Sequence, residues 1–187
     1  MKDVTFNGLT FELYITHDEI NKQIQRLAGE IKHNCEVSGD DAPLFICVLT
    51  GAFVFAADLF RACDIHNAEI AFIRFKSYEG TSSTGVVNDI MGLAEDVTGR
   101  SVFIIEDIVD TGITAYQLRE TLAKKNPKSV KMVTLLFKPD SLKVGPKPEF
   151  VGFEIPPRFI LGYGLDLDGL ARQLPDIYVL KPTQEEQ

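Results

Sequence analysis

Val102-Phe103-Ile104-Ile105-Glu106-Asp107-Ile108-Val109-Asp110-Thr111-Gly112-Ile113-Thr114 joins an apolar run to three carboxylates and then to a helical pattern. The run from Ser101 to Ile105 reads as a buried strand. Ala115, Leu118 and Leu122 recur at helical spacing beyond it. Acids, hydroxyls and backbone N–H groups therefore meet at the carboxyl end of a strand, the edge where open α/β sheets bind ligands. Asp110 alone would be an ordinary helix cap, and Glu106-Asp107 alone a solvated strand end. Together they are a constellation with chemistry. Three close acids repel one another unless a metal ion or sugar hydroxyls compensate. The first N–H groups of a helix lack internal partners and suit a phosphate. Gly112 lets the backbone approach an anion closely. One segment can thus hold both ends of a phosphorylated sugar.

The rest of the chain alternates in kind. Phe11–Ile15 predicts a short strand, and Thr16-His17-Asp18-Glu19 has the form of a capping box. Ile20, Ile24, Leu27 and Ile31 predict a helix over about Asp18–Lys32. Leu44–Leu49 reads as a buried parallel strand, Ala52–Cys63 as a helix and Ala68–Lys76 as a strand. Ser77–Gly85 is rich in Gly, Ser and Thr and is expected to be mobile, with a return strand over Val86–Met91. Asn126-Pro127 ends the helix after the acids, Ser129–Phe137 is a further strand, and Asp140–Lys147 is a loop. This order predicts an α/β fold, a mostly parallel twisted sheet flanked by helices. After Phe150 only short strands and turns follow, which predicts a small lobe over the open sheet edge. The chain is expected to be one domain, with a core over about 37–149 and the lobe built from about 1–16 and 150–187. Lys181–Gln187 reads as a polar tail.

The 187 residues, 45% of them hydrophobic, suffice for one core, and the formal net charge is -8. That balance argues against a nucleic-acid or membrane surface, which needs basic patches. A polyanionic small molecule remains compatible, because local donors and a divalent cation offset the field. Cys35, Cys47 and Cys63 show neither disulfide nor zinc spacing. His17, His33 and His66 lie among polar neighbours and read as surface residues. No apolar signal segment follows Met1-Lys2-Asp3, and Phe45–Phe60 is broken by Thr50, Gly51 and Asp58. A reduced, cytoplasmic protein is expected.

The Glu106–Thr114 segment resembles the phosphoribosyl-pyrophosphate (PRPP) signature of type I phosphoribosyltransferases. Val48-Leu49-Thr50-Gly51-Ala52-Phe53 resembles that family's pyrophosphate loop. Phe72–Tyr78 with Ser82-Ser83-Thr84-Gly85 resembles its flap. Leu135-Leu136-Phe137-Lys138 and Phe150–Pro156 lead into Phe159-Ile160-Leu161-Gly162-Tyr163-Gly164-Leu165-Asp166, a block similar to that of the hypoxanthine-guanine branch. The likeness runs from about Phe11 to Leu180.

The resemblance implies Mg²⁺-dependent transfer of 5-phosphoribosyl from PRPP to hypoxanthine or guanine, giving IMP or GMP and pyrophosphate. It implies that Glu106 and Asp107 face the ribose hydroxyls and Mg²⁺, and that Asp110 is the general base for the purine N7 proton. A carboxylate in water is a weak base, so burial or acid neighbours are expected around Asp110. The 5′-phosphate would lie on Asp110, Thr111, Gly112, Ile113 and Thr114, and pyrophosphate on Leu49, Thr50, Gly51 and Arg172. Ile108, Lys138, Phe159, Ile160 and Leu165 would line the purine site. In that scheme Lys138 donates to the 6-oxo group and Phe159 stacks on the ring. Asp166 would bind a second Mg²⁺ through water, and Ser77 and Tyr78 would close as a flap. Thr50 stands where lysine is commoner, and a cis Leu49–Thr50 peptide is expected. Relatives imply a homodimer or homotetramer. A xanthine-preferring enzyme and a non-catalytic PRPP or nucleotide sensor are the competing readings.

Overall fold

The computed structural model describes residues 3–75 and 90–182. Its large sheet has the order β5-β4-β3-β6-β7-β8, made of β3 (Leu44–Val48), β4 (Glu69–Phe75), β5 (Ile90–Met91), β6 (Ser101–Val109), β7 (Ser129–Phe137) and β8 (Phe150–Glu154). β4, β3, β6, β7 and β8 run parallel, and β5 pairs antiparallel with β4 at the edge. All five residues of β3 are buried, as expected for a strand covered on both faces. Helices α1 (His17–Ser38) and α2 (Phe53–Cys63) cover one face through Ile20, Ile24, Leu27, Ile31, Phe55 and Leu59. Helix α3 (Ile113–Ala123) covers the other through Leu118 and Leu122.

The capping box holds: Thr16 Oγ1 accepts from Glu19 N–H, and Glu19 Oε2 accepts from Thr16 N–H at 2.9 Å. α1 runs six residues beyond the predicted Lys32, because Cys35 continues the buried stripe and Gly39, in the left-handed region, caps the end. β6 also outruns its prediction. It passes Ile105 and carries Glu106 and Asp107 within the ladder, with Glu106 opposite Thr134 and Ile108 opposite Leu136. The acids are therefore part of the strand, not residues beyond its end. α3 begins at Ile113, not at Asp110. Gly112 is its N-cap, and Asp110–Gly112 form the turn before it. It ends at Ala123, ahead of Asn126-Pro127. β7 occupies the predicted Ser129–Phe137.

A second, antiparallel sheet has the order β1-β2-β10-β9, from β1 (Val4–Phe6), β2 (Leu9–Ile15), β9 (Ile160–Leu161) and β10 (Ile177–Leu180). Phe11, Leu161, Ala171 and Tyr178 form its small core. Because β8 belongs to the large sheet, this lobe draws on the carboxyl-terminal part from about Ile160 rather than from 150. The polar tail also starts later than Lys181, whose N–H donates to Thr10 at 3.0 Å and whose ammonium meets Asp3 at 2.6 Å. Cys35, Cys47 and Cys63 are free and buried. His33 and His66 are exposed, but His17 is not a plain surface residue. Its ring lies 6.3 Å from that of Tyr163, and its Nδ1 is buried without a hydrogen-bond partner among the described residues. The packing of α1 against the lobe covers it, which local polarity does not reveal. Among the described residues no helix is long and apolar enough to cross a membrane.

Candidate active site

Parallel strands β3 and β6 lie side by side, so the loops after them share one edge of the sheet. Glu106 is only 7% exposed. Burial, reinforced by the neighbouring Asp107 charge, holds its carboxyl well above the usual carboxylate range. Burial also pushes the Asp107 carboxyl up to about 6. Hydrogen bonds from backbone N–H groups and the Arg172 charge oppose the shift, and the Asp166 charge adds to it. Successive strand residues point to opposite faces. Asp107 faces the loop after β3, where a Cβ on Gly51 would lie 1.7 Å from Asp107 Oδ2. Glu106 instead lines a cavity of about 180 Å³ at the start of α3, shared with Val48, Ile108, Asp110, Thr111, Gly112, Ile113 and Thr114.

No side chain caps α3. Its leading N–H groups carry the partial positive charge of a helix N-terminus. The turn before it is braced from behind: Thr111 carbonyl accepts from Lys143 N–H at 3.0 Å and from Val144 N–H at 3.3 Å. Gly112 has φ +80°, and a Cβ there would lie 2.4 Å from Val144 carbonyl oxygen. Both conditions demand glycine. The cavity therefore sets buried acid on one wall and an uncapped helix start on the other.

The Leu49–Thr50 peptide is cis, as the sequence reading expects. Gly51 meets a second close neighbour there: a Cβ on Gly164 would lie 2.2 Å from Gly51 carbonyl oxygen. Gly164 belongs to the lobe turn that carries Asp166. Arg172 Nη1 donates to Gly164 carbonyl at 2.6 Å, and Arg172 Nη2 pairs with Asp166 Oδ1 at 2.7 Å. Asp166 Oδ2 accepts from Gly169 N–H at 2.7 Å. The structure thus gathers Thr50, Gly51, Asp107, Asp166 and Arg172 around one point. Sequence reasoning missed Gly164 and Tyr163 as parts of this junction. A tyrosine between two glycines in a turn was the available signal.

The Asp110 side chain is 45% exposed rather than buried, and it pairs with a cation. Its Oδ2 lies 2.8 Å from Lys138 Nζ, a cation at the end of β7 that is only 11% exposed. Ile160 and Leu165 are buried, and Ile108 is half-buried. Phe159 is 45% exposed, with its ring 6.1 Å from that of Phe11. Ser77 and Tyr78, the expected flap, lie outside the described residues. Among the described residues no three His, Cys, Asp or Glu side chains converge to hold a metal by themselves. What the edge offers a divalent cation is the carboxylates of Glu106 and Asp107, one on each face of β6 and neither in an ion pair with a described residue. That fits Mg²⁺, which protein commonly binds through one or two carboxylates while substrate oxygens and water complete its shell.

A parallel sheet with two acids and an uncapped helix start at one edge belongs to the class of open α/β proteins, whose ligands bind at the carboxyl ends of the strands. Comparison with known proteins narrows it. Residues 14–168 match the family model of the phosphoribosyl transferase domain. The chain is similar to a hypoxanthine-guanine phosphoribosyltransferase of Bacillus subtilis, 42% identical over 173 residues that cover 92% of this chain and 94% of that protein. It is 41% identical to a hypoxanthine-guanine-xanthine phosphoribosyltransferase of Tritrichomonas foetus over 89% of each chain. The crystal structure of the hypoxanthine phosphoribosyltransferase of Trypanosoma cruzi superimposes with a TM-score of 0.81 at 34% identity, covering 92% of this chain and 97% of that one. The chain belongs to the phosphoribosyltransferase family, in the group of the hypoxanthine-guanine phosphoribosyltransferases.

Proposed function

We propose that this enzyme transfers the 5-phosphoribosyl group of PRPP to hypoxanthine or guanine, releasing pyrophosphate and forming IMP or GMP in purine salvage. The observation that carries the reading is one cavity lined by both Glu106 and the uncapped start of α3. A phosphorylated ribose has hydroxyls for the first and a phosphate for the second. On this reading Thr111, Gly112, Ile113 and Thr114 bind the 5′-phosphate through N–H groups and hydroxyls. Glu106 and Asp107 face the ribose and its hydroxyls. The main chain of Leu49, Thr50 and Gly51 and the fork of Arg172 take the pyrophosphate.

Asp110 and Lys138 then share the base. The carboxylate accepts the N7 proton, and the ammonium donates to the 6-oxo oxygen. Phe159 stacks on the ring, with Ile108, Ile160 and Leu165 lining the pocket. A site built around a donor to a carbonyl rejects a base that presents an amino group instead. Glu106 and Asp107 would help to hold Mg²⁺, and Asp166 a second Mg²⁺ through water; the ions would neutralise pyrophosphate charge. Arg172 already holds Asp166, so this carboxylate also serves to aim the arginine.

A second reading, in which xanthine is accepted too, is favoured by one observation: the Tritrichomonas foetus relative includes xanthine in its name. A homodimer or homotetramer is proposed from the family likeness. The test of function is product identity. With PRPP, MgCl₂ and either hypoxanthine or guanine, chromatography should find IMP or GMP. PRPP left intact with both bases would refute the proposal.

A further inference from the structure

Tyr163 lies outside every role assigned above, yet it is 2% exposed and its hydroxyl donates to Asp58 Oδ2 at 2.5 Å. The partners are 105 positions apart and come from different lobes. Asp58 sits in the middle of α2, the helix that follows directly from the Thr50–Gly51 loop. Arg61, one turn on, pairs with the other Asp58 oxygen. Tyr163 itself stands between Gly162 and Gly164, in a turn with three successive positive φ angles of +96°, +50° and +97°. Its N–H donates to Leu174 carbonyl at 2.9 Å. The next residue, Gly164, abuts Gly51 carbonyl and accepts from Arg172. Burial, with the Asp58 carboxylate adding to it, raises the phenol, so it stays a donor.

We propose that Tyr163 is a positioning residue of the pyrophosphate subsite: its hydrogen bond to Asp58 ties the Gly162–Asp166 turn to α2 and sets the spacing between the Thr50–Gly51 loop and Arg172. The inference rests on the proposed pyrophosphate role of those groups. A rigid tie is what such a subsite needs, because the loop and the arginine come from separate sheets and a displacement of about 1 Å is costly in a binding geometry. The groups that would recognise the purine, Lys138 and Phe159, come from the ends of β7 and β9, and of the purine lining only Leu165 shares the tied turn, so the tie acts on PRPP more than on the base.

The test is Tyr163→Phe, which removes only the hydroxyl, with Asp58→Asn as the conservative variant that keeps an oxygen acceptor. Steady-state kinetics with PRPP, Mg²⁺ and hypoxanthine should show KM for PRPP raised roughly tenfold in Tyr163→Phe, the scale of one lost hydrogen bond to a carboxylate. KM for hypoxanthine should stay within about twofold, and Asp58→Asn should recover most of the PRPP affinity. Asp58→Ala should repeat the Tyr163→Phe effect, with the double variant no worse than either single one. Titration of inorganic pyrophosphate, followed calorimetrically, separates two failures. No binding to the unaltered enzyme would overturn the subsite reading itself. Equal binding to the unaltered enzyme and Tyr163→Phe, or a rise in both KM values together, would overturn the positioning role alone.

Discussion

Lys138 Nζ lies 2.8 Å from Asp110 Oδ2, so the two groups assigned to the purine are bound to each other. Lys138 is 11% exposed and Asp110 is 45% exposed. A 6-oxopurine offers a carbonyl to the lysine and an N7 proton to the aspartate, replacing each partner by a complementary one. Adenine offers an amino group to the ammonium and makes the exchange unfavourable. Asp110→Ala should lower kcat by about 10²-fold, the lower range for a positioned base, while leaving the fold intact. Lys138→Gln should act on KM for the base, raising it by roughly ten- to a hundredfold through loss of a charge-assisted hydrogen bond. Steady-state kinetics with hypoxanthine checks both. An unchanged kcat in the first variant would remove Asp110 from the chemistry.

Gly51 is required by what stands against it. A Cβ there would lie 1.7 Å from Asp107 Oδ2, and a side chain cannot share that space without moving the acid. Gly51→Ala should cost about 1–3 kcal/mol of stability as overpacking. It should also raise KM for PRPP more than KM for the base. Thermal melts and paired KM values test this, and a variant with unchanged PRPP affinity would contradict the proposed contact.

Glu149 ties β8 and α3 together from outside the site. It accepts from Arg119 at 2.8 and 2.6 Å and from Met132 N–H at 2.8 Å. Burial pushes its carboxyl up, but the hydrogen bonds and the Arg119 charge outweigh burial, and the net shift is down. An acid with a lowered folded value contributes stability above its unfolded value of 4.5, and that contribution is lost as pH falls through the folded value. Glu149 is 36% exposed, so screening limits the effect. Glu149→Gln should lose about 1 kcal/mol near pH 7 and less at about pH 3. Urea unfolding at the two pH values measures the difference, and an equal loss at both would contradict the assignment.

Much of the fold was legible because burial writes itself into apolar runs. Ser129–Phe137 was bounded correctly since both faces of β7 are covered, and α1 announced its start through Thr16 and Glu19. The end of β6 was not legible. Glu106 and Asp107 look like a strand terminus by polarity, but their backbone still ladders with β7. Nor did Phe150–Glu154 reveal which sheet it joins, since short strands look alike and pairing is a long-range choice. The same limit applies to the site. The proposed phosphate cradle is contiguous in sequence, so its residues can be proposed from one segment. The pairs Lys138–Asp110 and Tyr163–Asp58 are 28 and 105 positions apart, and nothing local to either residue names its partner. Burial or acid neighbours are expected around Asp110, and it is half-exposed and paired with a lysine.

The most direct measurement is pyrophosphate release from PRPP and Mg²⁺ in the presence of hypoxanthine, guanine, xanthine or adenine, one at a time. Release with hypoxanthine and guanine, and none above background with adenine, is the predicted outcome. Comparable release with adenine, or no release with any of the four, would contradict it.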